Sequence, residues 1–160
     1  MTISGNQPVE SCIFCTKAVT EKSFDSTSKF SAVYNMAPIL SGHSLIIPNA
    51  HYESLTELSD QDLGEMMIFA RKVTSVLKIV YNCDGFDWTI QDGVSAGQTV
   101  PHLHLHIIPR KPFDIAEGNE WYSKIPENEK QMLDSDHRER LNNHEYDTIT
   151  ARLAKAVRPI

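Results

Sequence analysis

The sequence predicts an α+β fold, and three observations carry that expectation. Segments 29–35, 43–48, 87–91 and 102–110 read as strands. One long helical pattern at 60–80 is inserted among them, and a second at 145–157 closes the chain. The third observation is His102-Leu103-His104-Leu105-His106-Ile107-Ile108-Pro109-Arg110, which sets three of the seven histidines at spacing two. In a strand, side chains two apart share a face, so the imidazoles point one way and Leu103, Leu105 and Ile107 the other. Their roots lie roughly 6.5–7 Å apart, a spacing that suits neighbouring parts of one ligand better than chelation of a single metal.

Residues 1–11 are polar and expected to be loose. Lys29 to Asn35 alternates partially, and Met36-Ala37-Pro38 and Ser41-Gly42 then give turn signals. His43 to Pro48 supplies the second strand, making an antiparallel hairpin with a loop of several residues. The helix from Asp60 to Val80 has Ser59 as its N-cap. Leu63, Met66, Met67, Ala70, Val73, Leu77 and Val80 recur at helical spacing, and this face should cover the sheet. Gly85 ends that pattern, Asp87 to Gln91 reads as a third strand, and Asp92 to Gln98, with its glycines and small residues, turns into the histidine strand. From Asp114 to Asn143 charge is high and periodicity low, so a mobile loop or lid is expected within 113–144. Trp121-Tyr122 reads as an aromatic anchor for that loop.

A chain of 160 residues fits one domain, taken here as 1–160. The formal net charge of −6 speaks against general affinity for nucleic acid or an anionic membrane, whereas local donors can still bind a small phosphate-bearing ligand. No apolar run is long enough to span a bilayer and no secretory signal is evident, so the expected location is cytoplasmic. Cys12 and Cys15 form a C-x2-C pair, while Cys83 stands alone and reads as a small buried residue. The pair fits half a zinc site, for which His51, His102, His104 and His106 offer partners, and it equally fits two small buried cysteines.

A neutral imidazole is a competent nucleophile at phosphorus, and near pH 7 histidine is largely neutral. The chain has no G-x-S-x-G, no H-E-x-x-H and no phosphate-binding loop ending in Lys-Ser or Lys-Thr. Phosphoryl or nucleotidyl transfer through a phosphoimidazole is therefore the leading chemistry. The glycine turn and Gln98 offer neutral N–H donors suited to phosphate oxygens.

Gln91-Asp92-Gly93, Ala96-Gly97-Gln98-Thr99-Val100 and His102-x-His104-x-His106 followed by Pro109-Arg110 resemble the signature of the histidine triad superfamily. With Asn35 and Gly42-His43, the resemblance covers about residues 10–112. Gln91 in place of an asparagine, the Gln-Asp-Gly start and the Pro-Arg end are similar to the fragile histidine triad branch, which hydrolyses diadenosine polyphosphates. The phosphoramidase branch is the alternative, and a non-catalytic nucleotide-binding module is a third.

The resemblance implies a half-barrel of about five antiparallel strands with one long helix and a C-terminal helix. It makes His104 the nucleophile, oriented through a backbone carbonyl, with His106 and His43 on phosphate oxygens and Gln98 near the bridging oxygen. Asn35 would hold the ribose, Val33, Leu45 and Phe14 would sandwich the base, and Gln91 would approach the phosphates. Arg110 is expected as a surface or dimer-contact charge, and Tyr122 falls where fragile-branch members carry a tyrosine near the site. The N-terminal cysteine pair departs from that branch. It resembles bacterial-type members in which Cys12, Cys15, His51 and His102 would bind one structural zinc per chain. A homodimer through the long helix and a neighbouring strand is also implied, as is magnesium accompanying the polyphosphate.

Overall fold

The structure is a computed structural model that describes residues 11–114 and 138–157. Five antiparallel strands form one open sheet: β1 (Asp25–Ser26), β2 (Phe30–Tyr34), β3 (Ser44–Pro48), β4 (Gly85–Ile90) and β5 (Leu105–Arg110), in the order β1-β2-β3-β5-β4. The hairpin expected from the turn signals at 36–42 is β2–β3, with Val33 opposite Leu45. The last strand inserts between β3 and β4, placing His106 opposite both Leu45 and Thr89. Helices α1 (Lys17–Glu21), α2 (Asp60–Tyr81) and α3 (Asn143–Ala156), with short 3-10 turns at Ile13–Cys15, Leu55–Glu57 and Val94–Ala96, complete the described elements. Neither α1 nor the two-residue β1 has enough periodicity to stand out in the sequence.

Alternation divides the sheet into two chemically distinct faces. Ala32, Ile46, Leu105 and Ile107 point to one side, where they pack with α2 and α3 in the main core. Burying these side chains supplies the main driving force for holding helices on sheet, at about 25 cal/mol per Å² of apolar surface. On α2, Met66, Phe69, Ala70, Val73, Val76 and Leu77 are buried. Met67, expected in that stripe, is 40% exposed because it sits about 100° around the helix from Met66; Phe69 and Val76 complete the inner face instead. Ser59 caps the helix by accepting the Asp62 N–H, and Asn82 in the left-handed region ends it.

The histidine strand starts later than its alternation suggests. Regular pairing begins at Leu105, since the Leu103 N–H goes to the Tyr52 carbonyl and the His102 carbonyl accepts from the His104 ring. Neither group is then available to a ladder, yet alternation persists: Leu103 lies in the core beneath α2. Arg110 is also not a loose surface charge. It bonds Asp87 across the β4–β5 pair at 2.7 Å and grips Asp114 at 2.9 and 3.1 Å, fixing the turn after β5. Cys83 is buried, as expected.

The loop or lid expected within 113–144 falls largely outside the described residues, as do Trp121 and Tyr122 and most of the loose N-terminal stretch. Its described C-terminal end, residues 138–142, docks on the β2–β3 loop. Among the described residues, no helix is long and apolar enough to cross a membrane.

Candidate active site

The second face of the sheet carries the site. Period-two geometry brings Val33 and Asn35 at the end of β2, His43 and Leu45 at the start of β3, and His106 on β5 to this face. All are buried, as are His102 and His104. Phe14 packs on Val33, Leu45 and Ile47, and its ring stands edge-on to His104 at 5.3 Å. An apolar floor therefore adjoins the imidazoles.

Hydrogen bonds determine which ring nitrogens carry protons. The Ile39 N–H can only donate, and it lies 3.2 Å from His43 Nδ1, so that nitrogen accepts and Nε2 holds the proton. His43 Nε2 then donates to His106 Nδ1 at 2.9 Å, which leaves the His106 proton on its own Nε2. For His104 the reverse holds: Nδ1 donates to the His102 carbonyl at 2.7 Å, leaving Nε2 with a lone pair. The rings of His104 and His106 are 4.8 Å apart. A nucleophilic nitrogen thus stands beside an N–H donor, the pairing required for attack on an atom bearing an anionic oxygen.

The other expected site residues have defined partners. Asn35 Oδ1 accepts the Ala37 N–H at 2.9 Å, while its Nδ2 stands 3.4 Å from His43 Nε2 as a contact between two N–H donors in this tautomer. Gln98 is not brought to the histidines by its hydrogen bonds. Its carboxamide accepts from Gly93 N–H at 2.7 Å and donates to the Glu53 carbonyl at 2.9 Å, closing the turn before the histidine segment. Gln91 spans the same turn by donating to the Ala96 carbonyl at 2.8 Å. His43, for which the resemblance implies a phosphate oxygen, is coupled to His106 in the structure. The Ile39 amide that sets this relay has no signal in the sequence, since any non-proline residue there supplies an N–H.

Cys12, Cys15, His51 and His102 converge at the edge of the site, with one donor atom from each within 4.8 Å of the others. Sulfur-to-Nδ1 separations are 3.4 Å for Cys12–His102, 3.3 Å for Cys15–His51 and 3.6 Å for Cys15–His102. A tetrahedral cation with metal–sulfur and metal–nitrogen bonds of about 2.3 and 2.0 Å requires an S···N edge of roughly 3.5 Å, so the four fit a metal ion. His102 Nε2 donates to the Pro48 carbonyl at 3.0 Å, and His51 Nε2 lies 3.5 Å from a Glu53 carboxylate oxygen. Both arrangements present Nδ1 to a metal and brace the ring from behind. Burial pushes the His102 pKa down to about 4 and raises that of the Cys12 thiol. A bound dication deprotonates such thiols.

Fold and site together define an α+β protein with a buried histidine cluster between an apolar floor and a metal-competent Cys2His2 set. The HIT domain family model matches residues 16–113, and the chain belongs to this family. It is 41% identical over 109 residues to a bis(5'-nucleosyl)-tetraphosphatase [asymmetrical] of Schizosaccharomyces pombe, a match covering 68% of this chain and 60% of that protein. It is 37% identical over 102 residues to a bis(5'-adenosyl)-triphosphatase of Dictyostelium discoideum, covering 64% of this chain and 68% of the relative. Among solved structures, a hypothetical histidine triad nucleotide-binding protein of Sulfolobus tokodaii superposes with a TM-score of 0.70 at 26% identity, covering 91% of each chain.

Proposed function

We propose that the protein hydrolyses dinucleoside polyphosphates at the α-phosphorus through a nucleotidyl-histidine at His104. The observation that carries this reading is the His104 Nδ1–H bond to the His102 carbonyl, which leaves Nε2 as a lone pair beside His106. Attack by Nε2 forms a P–N bond and breaks the P–O bond to the departing nucleotide, which leaves as its phosphate anion. Water then attacks the same phosphorus and breaks the P–N bond, releasing a nucleoside monophosphate, a proton to solvent and the neutral imidazole.

His106 donates its Nε2–H to the α-phosphate oxygen where charge accumulates, and His43 holds it in that tautomer. Asn35 serves the ribose, and Val33, Leu45 and Phe14 receive the base on their apolar floor. Gln98 and Gln91 shape the phosphate-side turn, and magnesium enters with the polyphosphate. The names of the two yeast and Dictyostelium relatives support this substrate class, and attack at the α-phosphorus accounts for asymmetric products.

The Cys2His2 set holds one structural zinc per chain in this reading. Donor chemistry and spacing support zinc: two thiolates and two imidazoles at tetrahedral edges, with no further protein ligand required. The proposal extends to a homodimer through β4 and α2. β4 is an edge strand, Trp88 on it is 37% exposed, and Ile68 and Ile79, eleven residues apart on one side of α2, are 60% and 66% exposed.

The test is product analysis of diadenosine triphosphate incubated with purified protein and magnesium. AMP plus ADP from the native protein, with none from His104→Asn, is the expected result. Absence of products from a native protein that binds the nucleotide would overturn the hydrolase reading in favour of phosphoramidase or binding-module chemistry.

A further inference from the structure

We infer that Arg138 is a positioning residue for the substrate loop between β2 and β3, holding the Ala37 peptide so that Asn35 stays aimed at the nucleotide and His43 at His106. The inference rests on the nucleotide reading given above. Arg138 lies 101 positions from Ala37 in sequence, yet its Nε–H donates to the Ala37 carbonyl at 3.1 Å. The Ala37 N–H in turn donates to Asn35 Oδ1 at 2.9 Å. One residue therefore links the guanidinium on its carbonyl side to the carboxamide on its amide side.

The linkage continues into the histidines. Asn35 N–H donates to the His43 carbonyl at 2.9 Å, and Ile39 N–H, two residues beyond Ala37, sets the His43 tautomer at 3.2 Å. Leu141 N–H binds the neighbouring Met36 carbonyl at 2.9 Å, so two consecutive loop carbonyls are tied to the lead-in of α3. That lead-in is itself well anchored. Asn142 and Glu145 form a reciprocal capping box, Tyr146 is buried with its ring 6.4 Å from that of Tyr34, and Leu153 lies in the core. At the far end of the loop, Gly42 N–H donates to Tyr34 Oη at 3.1 Å.

A purely structural role would have Arg138 fasten α3 to the sheet. Tyr146 and Leu153 already do that, whereas the Arg138 bond acts on the residue whose own N–H holds the Asn35 carboxamide. A charge-assisted donor on the Ala37 carbonyl restrains the turn that Asn35 closes. Removing it frees the Asn35 carboxamide to leave the ribose-binding orientation.

Calorimetric binding of AMP to the native chain, Arg138→Ala, Asn35→Ala, the double variant and Arg138→Gln tests this. Each alanine variant should bind AMP roughly tenfold more weakly, the cost of a charge-assisted hydrogen bond. The double variant should be no weaker than the weaker single, because both changes remove one linkage. Glutamine places its Nε2 donor at the chain position of the arginine Nε, so Arg138→Gln should return to within about threefold of native affinity. Amide exchange at Ala37 should quicken in Arg138→Ala and slow again in Arg138→Gln. Native-like AMP affinity in Arg138→Ala, fully additive losses, or a glutamine variant as weak as alanine would overturn the inference. A native chain that binds no AMP would instead remove the nucleotide reading, and this inference with it.

Discussion

His43 meets the reacting end of the site through His106: Nε2 of the first stands 2.9 Å from Nδ1 of the second. With Ile39 N–H on the other nitrogen of His43, this contact makes His106 Nε2 an N–H donor. The two histidines form one device, in which the His43 ring sets the proton on the His106 ring.

Replacing either member should therefore have similar consequences. His106→Ala removes the donor, and His43→Ala removes the group that fixes it, so each should lower kcat by on the order of 10²-fold or more. The double variant should be little worse than His106→Ala alone, since the two act as a unit. Steady-state rates on diadenosine triphosphate check this, and independent multiplicative losses would show that His43 contacts substrate by itself.

Gly42 immediately precedes His43 at φ +95°, and a Cβ there would stand 2.6 Å from Pro109 Cγ and 3.0 Å from the Tyr81 ring. Gly42→Ala therefore meets both backbone strain and a wall of the β5 end. It should destabilise the fold by about 2 kcal/mol or more and lower turnover through His43. Urea denaturation measures the first effect, and kinetics at a temperature where the variant remains folded measures the second.

How much of this was legible in the sequence depended on whether a period or a spacing carried the information. The alternation through Leu103, Leu105 and Ile107 placed the core face, and the capped stripe of α2 gave its start at Asp60. The resemblance brought Cys12, Cys15, His51 and His102 together as ligands, and the fold places their donor atoms in one cluster. The start of β5 was misplaced because Leu103 gives its N–H to Tyr52, a long-range choice no local pattern reveals. Gln98 carries the right chemistry for phosphate, yet its partners are Gly93 and Glu53. Arg138 sits in a polar run without periodicity, so only the fold could join it to Ala37.

Acid sensitivity should reside partly at the start of α2. Lys29 Nζ binds Asp62 at 2.7 Å and Glu65 at 2.9 Å. The Asp62 pKa is lowered first by Lys29 and then by Ser59, and that of Glu65 is lowered first by Lys29. A lowered carboxylate contributes stability that is present above its unfolded value and disappears as pH falls through its folded value. The Lys29 pKa is raised by the same partners, so its contribution is full at neutral pH and fades only as pH climbs through the raised value. Lys29→Met should therefore flatten the acid limb of stability below about pH 4, leaving a smaller difference between neutral and acidic thermal midpoints. An acid limb as steep as that of the native chain would assign the loss to other groups.

Metal removal should disturb the proposed base-binding floor as well as the fold, because Phe14 lies between Cys12 and Cys15 in the sequence. The turn Ile13–Cys15 is bounded by Cys12 and contains Cys15, so a cation held by both cysteines would also fix the Phe14 ring against Val33 and Leu45. That ring stands edge-on to His102 at 5.7 Å and to His104 at 5.3 Å. His102, the apolar wall and His104 thus share one contact set. Purified protein should carry about one zinc per chain, and chelation should lower the thermal midpoint and weaken AMP binding together. Phe14→Ala separates the two effects: it should keep its zinc and most of its stability while losing AMP affinity roughly tenfold, from the apolar surface no longer covered. Elemental analysis, thermal denaturation and calorimetry on the same three samples decide the matter. Full AMP affinity in zinc-free protein that remains folded would mean that the metal holds only the N-terminal turn.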